Sequence, residues 1–194
     1  SMEYLESSRE RSDDDLTYGS ELIHGIMLKK AFSHDNMSDE ITDARIAVLS
    51  CPLEPPRPKT KHTVNIGTRK DFEQLHQVEE HFFQQIFDKL LQLNVTTVIC
   101  QWGMDHEVNE WLRANNIIGI RWVPGHELER VAMAVGAKIC PRITELEEDM
   151  LGSASRIYQK KQDKANAVFI EGCHNPMACT IVVRATSELI AEDI

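Results

Sequence analysis

The chain has 194 residues, 42% of them hydrophobic, and a formal charge of −10. This length and composition suit one domain with a sizeable core. Phosphate affinity depends on clusters of lysine and arginine, so the negative charge argues against a nucleic-acid-binding protein. No apolar stretch approaches the roughly 20 residues that a membrane span needs. The five cysteines are odd in number and partly lie in apolar runs, which favours reduced thiols in a cytoplasmic protein.

The first 18 residues are predicted to lie outside the fold. Ser1 and Met2 resemble the remnant of a cleaved expression tag, and the charged stretch that follows is predicted to be a flexible lead-in. A strand over Glu21–Lys29 and a polar loop over Lys30–Thr42 come next. The folded domain is therefore expected to span residues 19–194.

A β-type apolar run over Ala44–Cys51 leads directly into a proline-rich segment, Pro52–His62. Proline lacks a backbone N–H group and fixes φ, so four prolines within seven positions exclude both a helix and a sheet ladder. We therefore predict a core strand that continues into an extended, exposed arm.

The longest predicted helix spans Arg69–Leu93, with Thr68 and Asp71 resembling a capping box. Apolar residues recur along it at steps of three and four, which predicts one broad buried face. The members of that face are Phe72, Leu75, Val78, Phe82, Phe83, Ile86, Leu90 and Leu93. The opposite face is polar and rich in glutamine. A polar face of this kind is most often only a solvated surface.

The middle of the chain alternates strands with helices. Strands are predicted over Val95–Gln101 and Ile117–Val123, and helices over Asp105–Asn115 and His126–Val135, the second helix ending at Gly136. This β-α-β-α-β alternation predicts parallel pairing and a mixed α/β domain.

Further along, Thr144 and Glu147 resemble another capping box. Two strands over Ala167–Glu171 and Ala178–Arg184 are predicted to form a hairpin.

The patterns that carry enzyme chemistry are weak. Neither GxGxxG nor GxxxxGK[ST] occurs. Cys100 and His106 could form a nucleophile and its base, which leaves a small α/β enzyme with a site at the Cys100–Asp105 turn as an alternative, although a buried structural cysteine is the commoner case. Cys173, His174 and Cys179 do not match the four-ligand spacing of a structural zinc site. A binding role is therefore favoured.

Several short motifs, in order, resemble the apical domain of group II chaperonins, the family that includes the eukaryotic cytosolic chaperonin TRiC/CCT. The resemblance covers nearly the whole chain from about Gly19. The motifs are Phe32-Ser33-His34 with Met37, Asp43-Ala44-Arg45-Ile46-Ala47, Cys51-Pro52 through Lys59-Thr60-Lys61-His62, Cys100-Gln101-Trp102-Gly103, Val135-Gly136-Ala137-Lys138-Ile139, and Glu171-Gly172-Cys173 with Asn175. Asp35 and Ser38 stand where that family usually has prolines.

The resemblance implies a swivelling β/β/α apical domain with a helical protrusion, over about residues 53–75, that acts as a built-in lid. It also implies that unfolded client proteins bind in a groove between the long helix and the loop at Lys30–Ser38. The client-binding residues implied by this mapping are Phe32, His34, Met37, Gln74, Gln77, His81, Gln84, Gln85 and Asp88. Phe32 and Met37 are expected to be exposed.

The family's ATP and magnesium site lies in a separate equatorial domain whose motifs this sequence lacks. The resemblance therefore implies a non-enzymatic fragment, without a cofactor or metal of its own, of an ATP-hydrolysing cytoplasmic subunit. Its expected partners are unfolded clients and the other subunits of a hetero-oligomeric double ring, with neither nucleic acid nor membrane among them. The isolated fragment is expected to be a monomer.

Overall fold

A computed structural model describes residues 2–6, 21–55, 69–162, 165–175 and 177–185. Within these ranges the chain forms nine strands and three α-helices. The strands are β1 (Met2–Glu6), β2 (Glu21–Ile23), β3 (Gly25–Leu28), β4 (Glu40–Leu49), β5 (Thr97–Cys100), β6 (Ile118–Ile120), β7 (Gly152–Gln162), β8 (Ala165–Cys173) and β9 (Thr180–Ala185). The helices are α1 (Arg69–Gln92), α2 (His106–Ala114) and α3 (Gly125–Val135).

The larger sheet has the strand order β3-β8-β7-β4-β5-β6. Its β4, β5 and β6 strands pair in parallel, whereas the β3–β8, β8–β7 and β7–β4 pairs are antiparallel. The predicted β-α-β-α-β core and the mixed α/β fold are thus confirmed. A smaller sheet has the order β1-β9-β2.

The helix ends follow their local sequence. The Asp105 side chain accepts a hydrogen bond from the Glu107 backbone N–H at 3.0 Å, which satisfies one of the unpaired donors at the start of α2. Gly136 ends α3 in the left-handed conformation at φ 72°, where a side chain would be strained. Both predicted caps are confirmed.

The core lies between the parallel strands and the helices. Phe83, Ile86 and Leu90 of α1 are buried in it, so the predicted apolar face is correct over the second half of the helix. Val78, one helical turn or more earlier, is 58% exposed. Helix α1 is therefore not buried at Val78, although this residue belongs to the predicted apolar face.

The predicted exposed, unpaired arm does not include Leu53. Leu53 is fully buried and bridges Met104, because its backbone N–H donates to the Gly103 carbonyl and its carbonyl accepts from the Asp105 N–H. Leu53 is not itself a proline, so its backbone N–H is available for this pairing. Of the predicted protrusion at about residues 53–75, residues 56–68 lie outside the described residues, and the part from Arg69 onwards belongs to α1.

Three further predictions are wrong. Met2–Glu6 forms an edge strand in parallel with β9, a pairing that depends on backbone groups and not on an apolar sequence. The predicted hairpin between the strands at Ala167–Glu171 and Ala178–Arg184 does not form. Strand β8 instead pairs with β7, a strand that the sequence did not predict, and β9 joins the other sheet. The Thr144 and Glu147 side chains cap no helix there, because the chain forms two short 3₁₀ turns over Ile143–Glu145 and Glu148–Met150.

Candidate functional site

The loop at Lys30–Ser38 is fixed against the sheet. The Phe32 N–H donates to Gln159 Oε1 at 2.7 Å, and the Ser33 N–H donates to the Gly119 carbonyl of β6 at 2.7 Å. The Gly119 N–H in turn donates to Met37 Sδ at 3.3 Å. Both ends of this loop segment are thus anchored to backbone or side-chain groups of neighbouring strands.

The expected exposure of Phe32 and Met37 is wrong. Phe32 is 7% exposed and Met37 is 6% exposed, and both belong to the main hydrophobic cluster. The loop buries these side chains because transferring large apolar groups from water into the core is favourable. Their role in client binding remains a prediction.

His34 links the loop to α2. Its Nε2 lies 3.0 Å from Glu110 Oε1, and the Asn36 backbone N–H donates to its Nδ1 at 3.1 Å. In the neutral ring the proton is then on Nε2, facing the carboxylate. Hydrogen bonding from Arg113, with a smaller contribution from the charge of His34, lowers the pKa of Glu110 below its ordinary value.

The polar face of α1 is exposed over Gln77, His81, Gln84, Gln85 and Asp88. Four of these side chains pair one turn apart: Gln84 Nε2 donates to Asp88 Oδ1 at 2.7 Å, and Gln85 Nε2 lies 3.0 Å from His81 Nε2. Such surface pairs are weak, at about 0.2–0.5 kcal/mol each. The groups can therefore exchange partners easily. The Gln74 side chain lies outside the described residues.

An open groove with a volume of about 540 Å³ runs along this polar face. Its walls combine amides, carboxylates, an imidazole and two aromatic rings. The lining residues are Gln77, Glu80, His81, Phe83, Gln84, Phe87 and Glu107. Phe87 stacks on Trp111 of α2 with ring centroids 4.2 Å apart, which holds the two helices together below the groove.

Helix α2 stands beside both predicted halves of the site. It contacts the loop through Glu110 and His34, and it contacts α1 through Trp111 and Phe87. Glu107 of α2 therefore lines the groove opposite α1. The loop at Lys30–Ser38, which was predicted to form that wall, does not line it.

Sequence reasoning missed the contribution of α2. It could have been predicted from His106, Glu107 and Glu110, because these charged residues lie in the first turns of a short helix that follows a buried strand.

The alternative enzyme site has little chemical support. Cys100 is fully buried and its thiol donates to the Cys51 carbonyl at 3.1 Å. Burial raises the pKa of Cys100 to about 12, so the thiolate needed for nucleophilic attack is scarce at neutral pH. Among the residues that the structure describes, no group of three or more His, Cys, Asp or Glu side chains is arranged to hold a metal ion.

The fold of this chain is found within a group II chaperonin subunit. The fold matches a solved structure described as the open state monomer of a group II chaperonin from Methanococcoides burtonii, with a TM-score of 0.74 and 24% sequence identity over 98% of this chain and 40% of that one. At this identity the match establishes the fold alone.

The sequence establishes the family. Residues 10–194 match the model of the TCP-1/cpn60 chaperonin family, and the chain belongs to that family. It is 41% identical over 176 residues to T-complex protein 1 subunit epsilon of Encephalitozoon cuniculi, covering 89% of this chain and 32% of that protein. It is 31% identical to thermosome subunit beta of Desulfurococcus mucosus, covering 90% of this chain and 35% of that protein. The resemblance recognised from the sequence motifs is confirmed.

The chain spans about a third of the length of these curated relatives. In the part of the chain that the structure describes, no helix is both long enough and apolar enough to cross a membrane.

Proposed function

We propose that this chain is the client-binding domain of a cytoplasmic, ATP-dependent chaperonin subunit that assists protein folding. The observation that carries this proposal is the polar face of α1 beside an open groove. Its amides are exposed and only weakly paired, while Phe83 and Phe87 add apolar surface to the groove wall. A surface of adaptable polar groups around a little apolar area can accept many different unfolded chains.

Binding by a single domain of this kind is weak. A neutral hydrogen bond contributes only about 0.5–1.5 kcal/mol net, and an open groove excludes little water. Several domains that hold one client together would raise its effective concentration at each site. This requirement favours assembly of the subunit with other chaperonin subunits into the hetero-oligomeric double ring implied by the sequence.

The loop supports this surface from the other side of α2. In the proposal, His34 contacts clients directly because its ring is partly exposed, while Phe32 and Met37 hold the loop in place and reach a client only if the loop opens. The protrusion at about residues 53–75 would serve as the lid. ATP and magnesium would bind in another domain of the longer protein, so this domain itself would have no enzymatic activity.

Photo-crosslinking to an unfolded protein tests the client surface. A photoreactive amino acid replaces Gln84 in the groove wall or, as a matched control, Glu129 on the exposed side of α3. A permanently unfolded, carboxymethylated protein is the probe. We expect several-fold more crosslinked product from position 84. Equal yields from the two positions would contradict the assignment of the groove as the client site.

Calorimetric titration with Mg-ATP separates this proposal from the enzyme alternative. We expect no saturable heat from this chain. Stoichiometric binding of ATP would instead support a nucleotide site at the turn that follows Cys100.

A further inference from the structure

Two tryptophans stand exposed where neighbouring parallel strands end. Trp102 follows β5 and is 49% exposed, and Trp122 follows β6 and is 52% exposed. The Trp122 backbone N–H donates to the Trp102 carbonyl at 3.2 Å, and the two rings meet edge to face at 76° with centroids 6.5 Å apart. The carboxyl ends of parallel strands are the usual place for a ligand in an open α/β sheet.

A carboxylate lies beside this pair of rings. A β-carbon at Gly103 would collide with Glu54 Oε1 and would stand 3.1 Å from Trp122 Cζ2, so Glu54 and Trp122 converge on the space that this glycine leaves open. In the described ranges, neither a hydrogen bond nor an ion pair joins the Glu54 carboxylate, and neither indole N–H has a partner. We call Trp102, Trp122 and Glu54 the tryptophan corner.

The backbone at Trp122 is strained. Its φ is 57°, in the left-handed region that a bulky side chain rarely adopts. A buried aromatic residue could offset such strain by its packing, but half of this ring remains in water. Residues held in such sparsely populated conformations cluster at binding and active sites.

The side chains of the tryptophan corner favour binding of a cation. The face of an indole ring attracts positive charge, and an unpaired carboxylate beside it adds a full negative charge. Arginine fits both walls, because its planar guanidinium stacks on aromatic rings and donates two parallel hydrogen bonds to a carboxylate, while a lysine ammonium is more strongly hydrated. In the described part of the chain, Arg156 makes a cation–π contact with Tyr158, away from this corner.

We propose that the tryptophan corner binds an arginine side chain of a partner protein. The corner shares no residue with the groove of α1, so this site is separate from the proposed client surface. Arg121, the exposed neighbour of Trp122, adds a positive charge nearby and keeps the affinity for a single arginine modest.

The test is an NMR titration with the peptide acetyl-Gly-Arg-Gly-amide. The control peptide carries citrulline, which has nearly the same shape as arginine but no charge. We expect saturable shifts of the Trp102 and Trp122 indole N–H signals with the arginine peptide, and an affinity about tenfold or more lower with citrulline. The third tryptophan, Trp111, is stacked on Phe87 of α1, away from the tryptophan corner, and serves as the internal reference that should not move.

Two variants complete the test. Glu54→Gln keeps the size of the side chain and removes its charge, and Trp102→Ala removes one wall. Each should weaken binding of the arginine peptide about tenfold, while an unchanged Trp111 signal shows that the fold is intact. Equal shifts with citrulline, or an unchanged affinity in the folded Glu54→Gln variant, would overturn the proposal.

Discussion

The loop at Lys30–Ser38 and the polar face of α1 both border α2, but they use their side chains in opposite ways. The loop places Phe32 and Met37 in the core and bonds its backbone to β6 and β7. The polar face keeps its amides in water, where Gln84 pairs with Asp88 and Gln85 pairs with His81. The loop is therefore part of the folded framework, whereas the polar face is available to a ligand. Substitutions should separate these two contributions.

The largest effect is expected from Phe32→Ala. Removing a buried phenylalanine side chain should lower the free energy of unfolding by about 3 kcal/mol, because it loses apolar burial and leaves a cavity. Urea denaturation measures the change. The matched control is Val78→Ala on α1, which should change stability by less than about 0.5 kcal/mol because Val78 is exposed. Equal changes in the two variants would remove the distinction between the regions.

Met37→Leu should have a smaller effect, a loss of about 1 kcal/mol. Leucine keeps the apolar volume but has no sulfur to accept from the Gly119 N–H or from the Ser33 hydroxyl. Thermal unfolding measures this loss. A variant as stable as the parent protein would show that the sulfur contacts contribute nothing to holding the loop.

Glu110→Gln should change the response of the protein to acid. Arg113, through its hydrogen bond and charge, with smaller contributions from His34 and His106, lowers the pKa of Glu110 in the folded state. A lowered pKa means that the ionised carboxylate stabilises the fold above its ordinary pKa near 4.5 and that this stabilisation is lost as the pH falls through the lowered value.

Urea denaturation at a series of pH values measures this dependence. The parent protein should lose more stability than Glu110→Gln below about pH 4.5, and the two curves should run parallel at neutral pH. Identical slopes in acid would show that Arg113 and its neighbouring histidines do not stabilise the ionised carboxylate in the folded state.

The smallest change in stability is expected from the double variant Gln84→Ala and Gln85→Ala. Only exposed pairs within one helix are lost, so the free energy of unfolding should change by less than about 0.5 kcal/mol. Crosslinking of the unfolded protein from a photoreactive residue at Gln77 should nevertheless fall. A stable variant with undiminished crosslinking would show that these amides do not contact the client.

The sequence predicted elements that depend on local patterns. Helix α1, its buried residues from Phe83 onwards, the Asp105 cap and the parallel order of β4, β5 and β6 all follow from spacing and turn chemistry over a few residues. The polar face of α1 was predicted for the same reason, since the residues opposite a buried helix stripe must face outwards.

Features set by distant contacts were not predictable in this way. The burial of Phe32 and Met37 depends on Gln159 and Gly119, which lie far along the chain. An isolated large side chain in a polar stretch has no periodicity, so nothing local distinguishes an exposed residue from one that folds back onto the core. Strand β7 was missed because its charged half, Arg156–Gln162, resembles a solvated segment.

The hydrogen bonds between the loop and Gly119 have one further consequence. Strand β6 is the last strand of its sheet, and its three residues are buried. An uncovered edge of this kind is a template on which a second chain can add a strand, which is a route to aggregation. The loop occupies both the N–H and the carbonyl of Gly119 and so shields the edge. Loop variants should therefore tend to self-associate through β6 before the rest of the domain unfolds.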